Sequence, residues 1–127
     1  MKAIRIHEFG GAENLSVDEI DKPSPEAGEV LIKTEASGIN FADIMLRQNK
    51  YLFTPDLPFT MGFEVAGTVE EVGEGVTGFA KGDEIYGCAG GLAHLPGALA
   101  EFIPADARLI AHKPKALSMR EAAALPL

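Results

Sequence analysis

A chain of 127 residues, 46% of them hydrophobic, suffices for one globular domain with its own core. Its formal net charge of −8 has the wrong sign for a phosphate backbone or an anionic membrane surface, so neither partner is expected. The single cysteine, Cys88, excludes an intrachain disulfide and a cysteine-rich zinc lobe.

The N-terminal MKAIRIHEF alternates and lacks the apolar stretch of a signal peptide. No apolar run reaches the length needed to span a bilayer. With the lone cysteine these features point to a reducing compartment, and a cytoplasmic location is expected.

Taken in chain order, the predicted elements are mostly short strands. Residues 2–7 place Ile4 and Ile6 on one face, and Leu15 and Val17 resume the alternation after Gly10-Gly11. Residues 22–28 form a loop punctuated by Pro23, Pro25 and Gly28. Residues 29–36 carry the clearest strand pattern, with Val30, Ile32, Thr34 and Ala36 facing one way. The period changes at residues 40–47, where Phe41, Ile44 and Met45 fall at helical intervals. Asn40 suits the N-cap, and Asp43 suits the positive end of that short helix.

A proline-punctuated loop over residues 51–58 leads to a strand over 63–72. Further short strands are predicted over 84–87, 99–103 and 108–111. Turns are expected at Lys81-Gly-Asp83, Ala89-Gly-Gly91 and Pro104-Ala-Asp106. Many short strands separated by such turns predict a mainly β fold with short helices, a barrel or sandwich rather than alternating βαβ units. Finally, Ser118-Met-Arg-Glu121 is a capping box that opens a helix through Ala122-Ala-Ala124. A helix opening at the last residues predicts that this is the first domain of a longer protein.

Gly73, Gly75 and Gly78 spell the G-x-G-x-x-G of a dinucleotide-binding turn. That motif requires a helix immediately after it, whose N–H groups and dipole hold the pyrophosphate. Only Phe79-Ala-Lys81 separates Gly78 from the next turn, and Glu70, Glu71 and Glu74 bring negative charge. These glycines are therefore expected to serve tight turns between strands. Cys88 has no basic neighbour to activate it and is expected to act as a small hydrophobe. His7, His94 and His112 show no ligand spacing.

The ordered set Gly62-Phe-Glu-Val-Ala-Gly through Lys81-Gly-Asp83, Met1-Lys-Ala-Ile, Gly28-Glu-Val-Leu-Ile-Lys33, Gly38-Ile-Asn-Phe-Ala-Asp43 and Glu121-Ala-Ala-Ala-Leu-Pro126 spans nearly the whole chain. It resembles the N-terminal catalytic domain of zinc-independent medium-chain dehydrogenases/reductases of the quinone oxidoreductase, or zeta-crystallin, type. The resemblance implies a GroES-like, partly open β-barrel over residues 1–127. It also implies a Rossmann domain that holds NADPH beyond Leu127, and a homodimer formed through that second domain. This segment alone is then expected to be mainly monomeric and inactive.

In the zinc-type alcohol dehydrogenase cousins, a cysteine ligand sits two residues after the glycine that matches Gly38. A histidine ligand sits within their Gly-His-Glu motif. Here those positions are Asn40 and Phe63. Phenylalanine offers no donor, and an amide is a poor substitute for thiolate, so no metal is expected.

By resemblance, the activity is NADPH-driven reduction of a quinone or another α,β-unsaturated carbonyl. Such acceptors take hydride without a Lewis acid, leaving the protein to orient them and stabilise the developing oxyanion. Asn40 is the candidate donor to the substrate carbonyl or to the nicotinamide end of the cofactor, with helix capping as its competing role. Tyr51 is either a pocket phenol or a loop anchor. Phe63 is expected as an apolar wall of the cleft, and Ile44 and Arg47 as further substrate contacts. Met45 stands where quinone oxidoreductases often carry a tyrosine near the cofactor. The run Asn-Phe-Ala-Asp-Ile-Met is closer to the branch that includes vesicle amine transport protein homologues. Two alternatives therefore stand beside the enzyme: a non-catalytic binding or trafficking module, and a zinc-type relative that has lost its metal site.

Overall fold

Alternating sequence becomes strand wherever a partner covers one face. The computed structural model describes residues 1–92 and 95–127. In chain order its main elements are β1 (Lys2–Ile6), β2 (Leu15–Glu19), β3 (Glu29–Ala36), α1 (Phe41–Arg47), β4 (Phe59–Thr60) and β5 (Glu64–Val72). They continue with β6 (Glu84–Cys88), β7 (Phe102–Asp106), β8 (Ile110–His112) and α2 (Met119–Ala122). Three-residue 3-10 turns precede β2 and β8.

The strands form two sheets, β2-β1-β4 and β7-β3-β5-β6-β8, and every pair is antiparallel. Residues 99–101 stitch the sheets together. The Ile4 N–H donates to the Leu99 carbonyl at 2.8 Å, Ala3 bridges Ala100, and the Thr34 N–H donates to the Glu101 carbonyl at 3.0 Å. The result is the partly open β-barrel of the GroES-like type that the sequence resemblance implied.

The inward faces of β3, β5, β6 and β7 fill the barrel with Val30, Ile32, Val65, Val69, Ile85, Ile103 and Ala105. A second cluster, of Ile6, Leu46, Phe59, Met61 and Phe63, seats α1 against the small sheet. A third, of Ala66, Ala122 and Ala123, seats α2 on the outer face of β5.

Five local expectations are corrected. Residues 104–106 are not a turn but part of β7, where Pro104 pairs with Leu31. β7 is an edge strand, which tolerates a residue without an N–H. The strand expected over 99–103 accordingly begins later, at Phe102. The strand expected over 108–111 starts only at Ile110, because Asp106 caps a 3-10 turn by accepting from the Arg108 N–H at 2.8 Å. The Arg108 guanidinium holds the exposed Asp106 carboxyl at a pKa of about 2. The last helix is shorter than expected, ending at Ala122.

The fifth correction concerns α1. The helical spacing of Phe41, Ile44 and Met45 suggested the buried face, but Asp43 and Leu46 are the buried residues. Phe41 is 74% exposed and Ile44 40%. The second cluster takes Leu46 from α1, so positions 43 and 46 face inward and 41 and 44 outward, while the Asp43 carboxylate reaches back to the Asn40 N–H.

Candidate functional site

Two elements bring the site together. Residues 38–43 lead into α1, and β5 begins at Glu64 beside them. Neighbouring residues on an extended chain point to opposite faces. Phe63 therefore enters the α1 cluster, Val65 enters the barrel, and Glu64 shares the outer face with Ala66 beneath α2.

Glu64 is 2% exposed, and both of its carboxylate oxygens are engaged. Oε2 accepts from the Asn40 amide Nδ2 at 2.6 Å, and Oε1 accepts from the Leu127 N–H at 2.8 Å. Space for the carboxylate exists because position 38 is glycine: a Cβ there would collide with the Glu64 carboxylate and with the Ala123 carbonyl.

Asn40 and Asp43 are arranged as a capping box, but the arm that closes well is Asp43's. Its Oδ2 accepts from the Asn40 N–H at 2.8 Å, while the Asp43 N–H bonds the Asn40 backbone carbonyl at 3.0 Å. The Asn40 side chain faces the Asp43 N–H as the looser arm of the box. Its close partner is Glu64, so the amide is shared between the helix cap and that carboxylate.

Asp43 is buried, and its Oδ1 has no partner. Burial pushes its carboxyl above the ordinary range. The N–H groups of Asn40 and Gly62 oppose that shift, and the Glu64 charge adds to it. Burial also raises the half-buried Cys88 thiol, and the charges of Glu64 and Asp43 raise it further. A thiol so placed is a poor nucleophile, in keeping with the packing role expected for it.

The other candidate residues divide. Tyr51 and Phe63 come together, their ring centroids 5.6 Å apart, and Tyr51 meets Phe53 edge-on at 5.7 Å. Phe63 is 1% exposed, so within this chain it supports Tyr51 from beneath rather than forming an open cleft wall. Ile44 lies on the outward side of α1. Arg47 donates from Nη1 to the Gly10 carbonyl at 2.6 Å and so ties α1 to the loop after β1. Met45 is half-buried.

His7 pairs with Asp18 at 2.7 Å on the small sheet, and His112 stacks on Phe79 with its Nε2 2.9 Å from the Gly78 carbonyl. His94 lies outside the described residues. Among the described residues, no three His, Cys, Asp or Glu side chains converge as a metal site.

Sequence reading missed Glu64. Its signals were an acidic residue at the head of an apolar strand, between Phe63 and Val65, and its place as the Glu of Gly62-Phe-Glu64, which matches the Gly-His-Glu motif.

Gly73, Gly75 and Gly78 lie in the β5–β6 connection, with no helix after them. Gly75 and Gly78 have φ of 77° and 91°, a conformation glycine adopts freely. This turn lines a groove of about 880 Å³ together with Glu26, Glu29, Asp106 and Arg108. None of the candidate site residues borders it, and no pyrophosphate cradle is built there. No helix among the described residues is long and apolar enough to cross a membrane.

The chain is 39% identical over 126 residues to the quinone oxidoreductase of Rattus norvegicus, covering 98% of this chain and 37% of that protein. The structure of Escherichia coli quinone oxidoreductase complexed with NADPH superposes with a TM-score of 0.90 at 33% identity, over 98% of this chain and 37% of that one. The human synaptic vesicle membrane protein VAT-1 homolog-like protein superposes with a TM-score of 0.93 at 33% identity, over all of this chain and 40% of that one. The chain thus spans about two fifths of the length of such relatives. The alcohol dehydrogenase GroES-like domain model matches residues 26–115, which include β3, α1, Glu64 and the β5–β6 turn, and the chain belongs to that family.

Proposed function

We propose that this chain is the substrate-side domain of an NADPH-dependent, zinc-independent oxidoreductase that reduces quinones or other α,β-unsaturated carbonyls. One observation carries the proposal: the Asn40 amide Nδ2 is held by a buried carboxylate beside the exposed apolar residues Ile39, Phe41 and Ile44. An oriented amide donor next to an apolar surface suits a flat conjugated carbonyl. The quinone oxidoreductases among the relatives favour the same reading.

NADPH, when bound, supplies the hydride. The chain's own residues fit only the nicotinamide end, through Asn40 and Met45, since no phosphate cradle is present. A following domain supplies that cradle in this reading, and dimerisation belongs to it as well. The second Asn40 N–H stabilises negative charge developing on the substrate oxygen. Tyr51, braced by Phe63, contributes its phenol or ring face, and Ile44 and Phe41 exclude water. No metal takes part, because Asn40 and Phe63 supply no thiolate or imidazole.

The likeness to the VAT-1 homolog-like protein favours a second reading, a non-catalytic module of the same fold. One assay separates the two: NADPH oxidation by the whole protein against a panel of quinones and enones, with metal content measured alongside. Turnover without stoichiometric zinc, lowered by Asn40→Ala, supports the enzyme. No turnover with any acceptor supports the module.

A further inference from the structure

We infer that Glu64 is a positioning residue: its buried carboxylate locks the Asn40 amide in one of its two orientations and so decides where that amide presents its free N–H and its oxygen. The inference rests on the reading of Asn40 as the substrate-facing group.

The terminal torsion of asparagine is broad, and its amide has nearly the same shape either way round. A carboxylate only accepts, so the amide must turn Nδ2 toward it. Turned over, Oδ1 would face Glu64 Oε2 in a place shielded from water, leaving two acceptors opposed. Glu64 has little freedom to yield. It is 2% exposed, its other oxygen accepts from the Leu127 N–H, and the bare Gly38 backbone closes over it.

Two donors, Asn40 Nδ2 and the Leu127 N–H, thus converge on the two ends of one side chain. A carboxylate satisfies both. A glutamine of the same shape satisfies one and turns its own N–H groups on the other, so it cannot enforce the amide's direction. Asp43, the other buried acid nearby, already serves the helix start. Glu64 is the acceptor that fixes Nδ2, and the Asp43 N–H facing the Asn40 side chain favours the same orientation.

The test is Glu64→Gln, read in two ways. In this 127-residue chain, side-chain amide NMR should show one Asn40 Nδ2 proton shifted downfield and slow to exchange, and Glu64→Gln should return its shift and exchange rate toward those of a solvated asparagine. In the whole protein, Glu64→Gln should lower kcat for quinone reduction about ten- to a hundredfold, with KM for NADPH unchanged. The double variant with Asn40→Ala should be no worse than Asn40→Ala alone, because Glu64 acts only through Asn40.

Multiplied losses in the double variant would overturn the inference. So would Asn40 amide protons in the unmutated chain with the shifts and fast exchange of a solvated asparagine, a result that does not depend on the variant folding. If the whole protein reduces no acceptor, the functional reading fails, and the amide spectra alone decide whether Glu64 sets the orientation.

Discussion

The ring of Tyr51 rests on that of Phe63, centroid to centroid 5.6 Å, although one lies in an exposed loop region and the other is 1% exposed. The pair anchors the loop after α1 to the second core cluster. Phe63→Ala should cost about 3–5 kcal/mol of stability in urea unfolding, because it opens a cavity beneath Tyr51, Leu46 and Met61. Tyr51→Phe keeps the tilted ring contact and should change stability by less than about 1 kcal/mol. A large loss in Tyr51→Phe would mean that the phenol, not the ring, is the anchor.

Gly38 borders the Glu64 carboxylate and the Ala123 carbonyl so closely that a methyl group has no room. Gly38→Ala should destabilise the chain by about 1–3 kcal/mol, the usual range for overpacking. It should also displace Glu64, moving the Asn40 amide resonances. Thermal unfolding and side-chain amide spectra read the two effects separately, and a Gly38→Ala chain with unchanged melting would contradict the packing described.

Burial raises the Asp43 pKa above its ordinary value. Folding thus favours the protonated form. Its contribution is fully present below the unfolded value of about 4 and is lost as pH rises through the higher folded value. Asp43→Asn has no such titration. The stability of the unmutated chain relative to Asp43→Asn should therefore fall with pH across that window and be flat above it. Chemical denaturation at a series of pH values measures this. A difference that grows with pH would reverse the sign and mean that the hydrogen bonds from Asn40 and Gly62 outweigh burial.

The β5–β6 glycines have no helix behind them. This 127-residue chain should bind NADPH weakly or not at all in calorimetry. Micromolar affinity would place a pyrophosphate site where none is built, and would overturn the division of labour proposed here.

Much of this architecture was legible from periodicity. The strand read over residues 29–36 coincides with β3, because no Pro or Gly interrupts its β-branched pattern, although Leu31 on the opposite face is buried as well as Val30 and Ile32. The capping box at Ser118 opens α2 as expected, since its bonds are local. The glycine motif could be discounted from sequence, because the absence of a following helix is itself a local fact. The errors fall where remote neighbours decide. Pro104 signals a turn in any local reading, yet it belongs to a strand because nothing pairs with β7's outer edge. Phe41 and Ile44 carry the apolar spacing of a buried face, yet the cluster of Ile6, Phe59, Met61 and Phe63 takes Leu46 from α1 and leaves them outward.

Residue order along the chain was enough to establish a small β-rich domain with a short helix opening at Asn40, since side-chain alternation, caps and turn glycines act within a few residues. The site was another matter. Glu64 stands at a position that local alternation would assign to solvent as readily as to a core. Only packing covers that face, with α2, the chain near Leu127 and the side-chain-free Gly38, and so joins Glu64 to an asparagine 24 residues earlier. A buried carboxylate must find donors, and where those donors come from is a property of the folded chain rather than of any stretch of it.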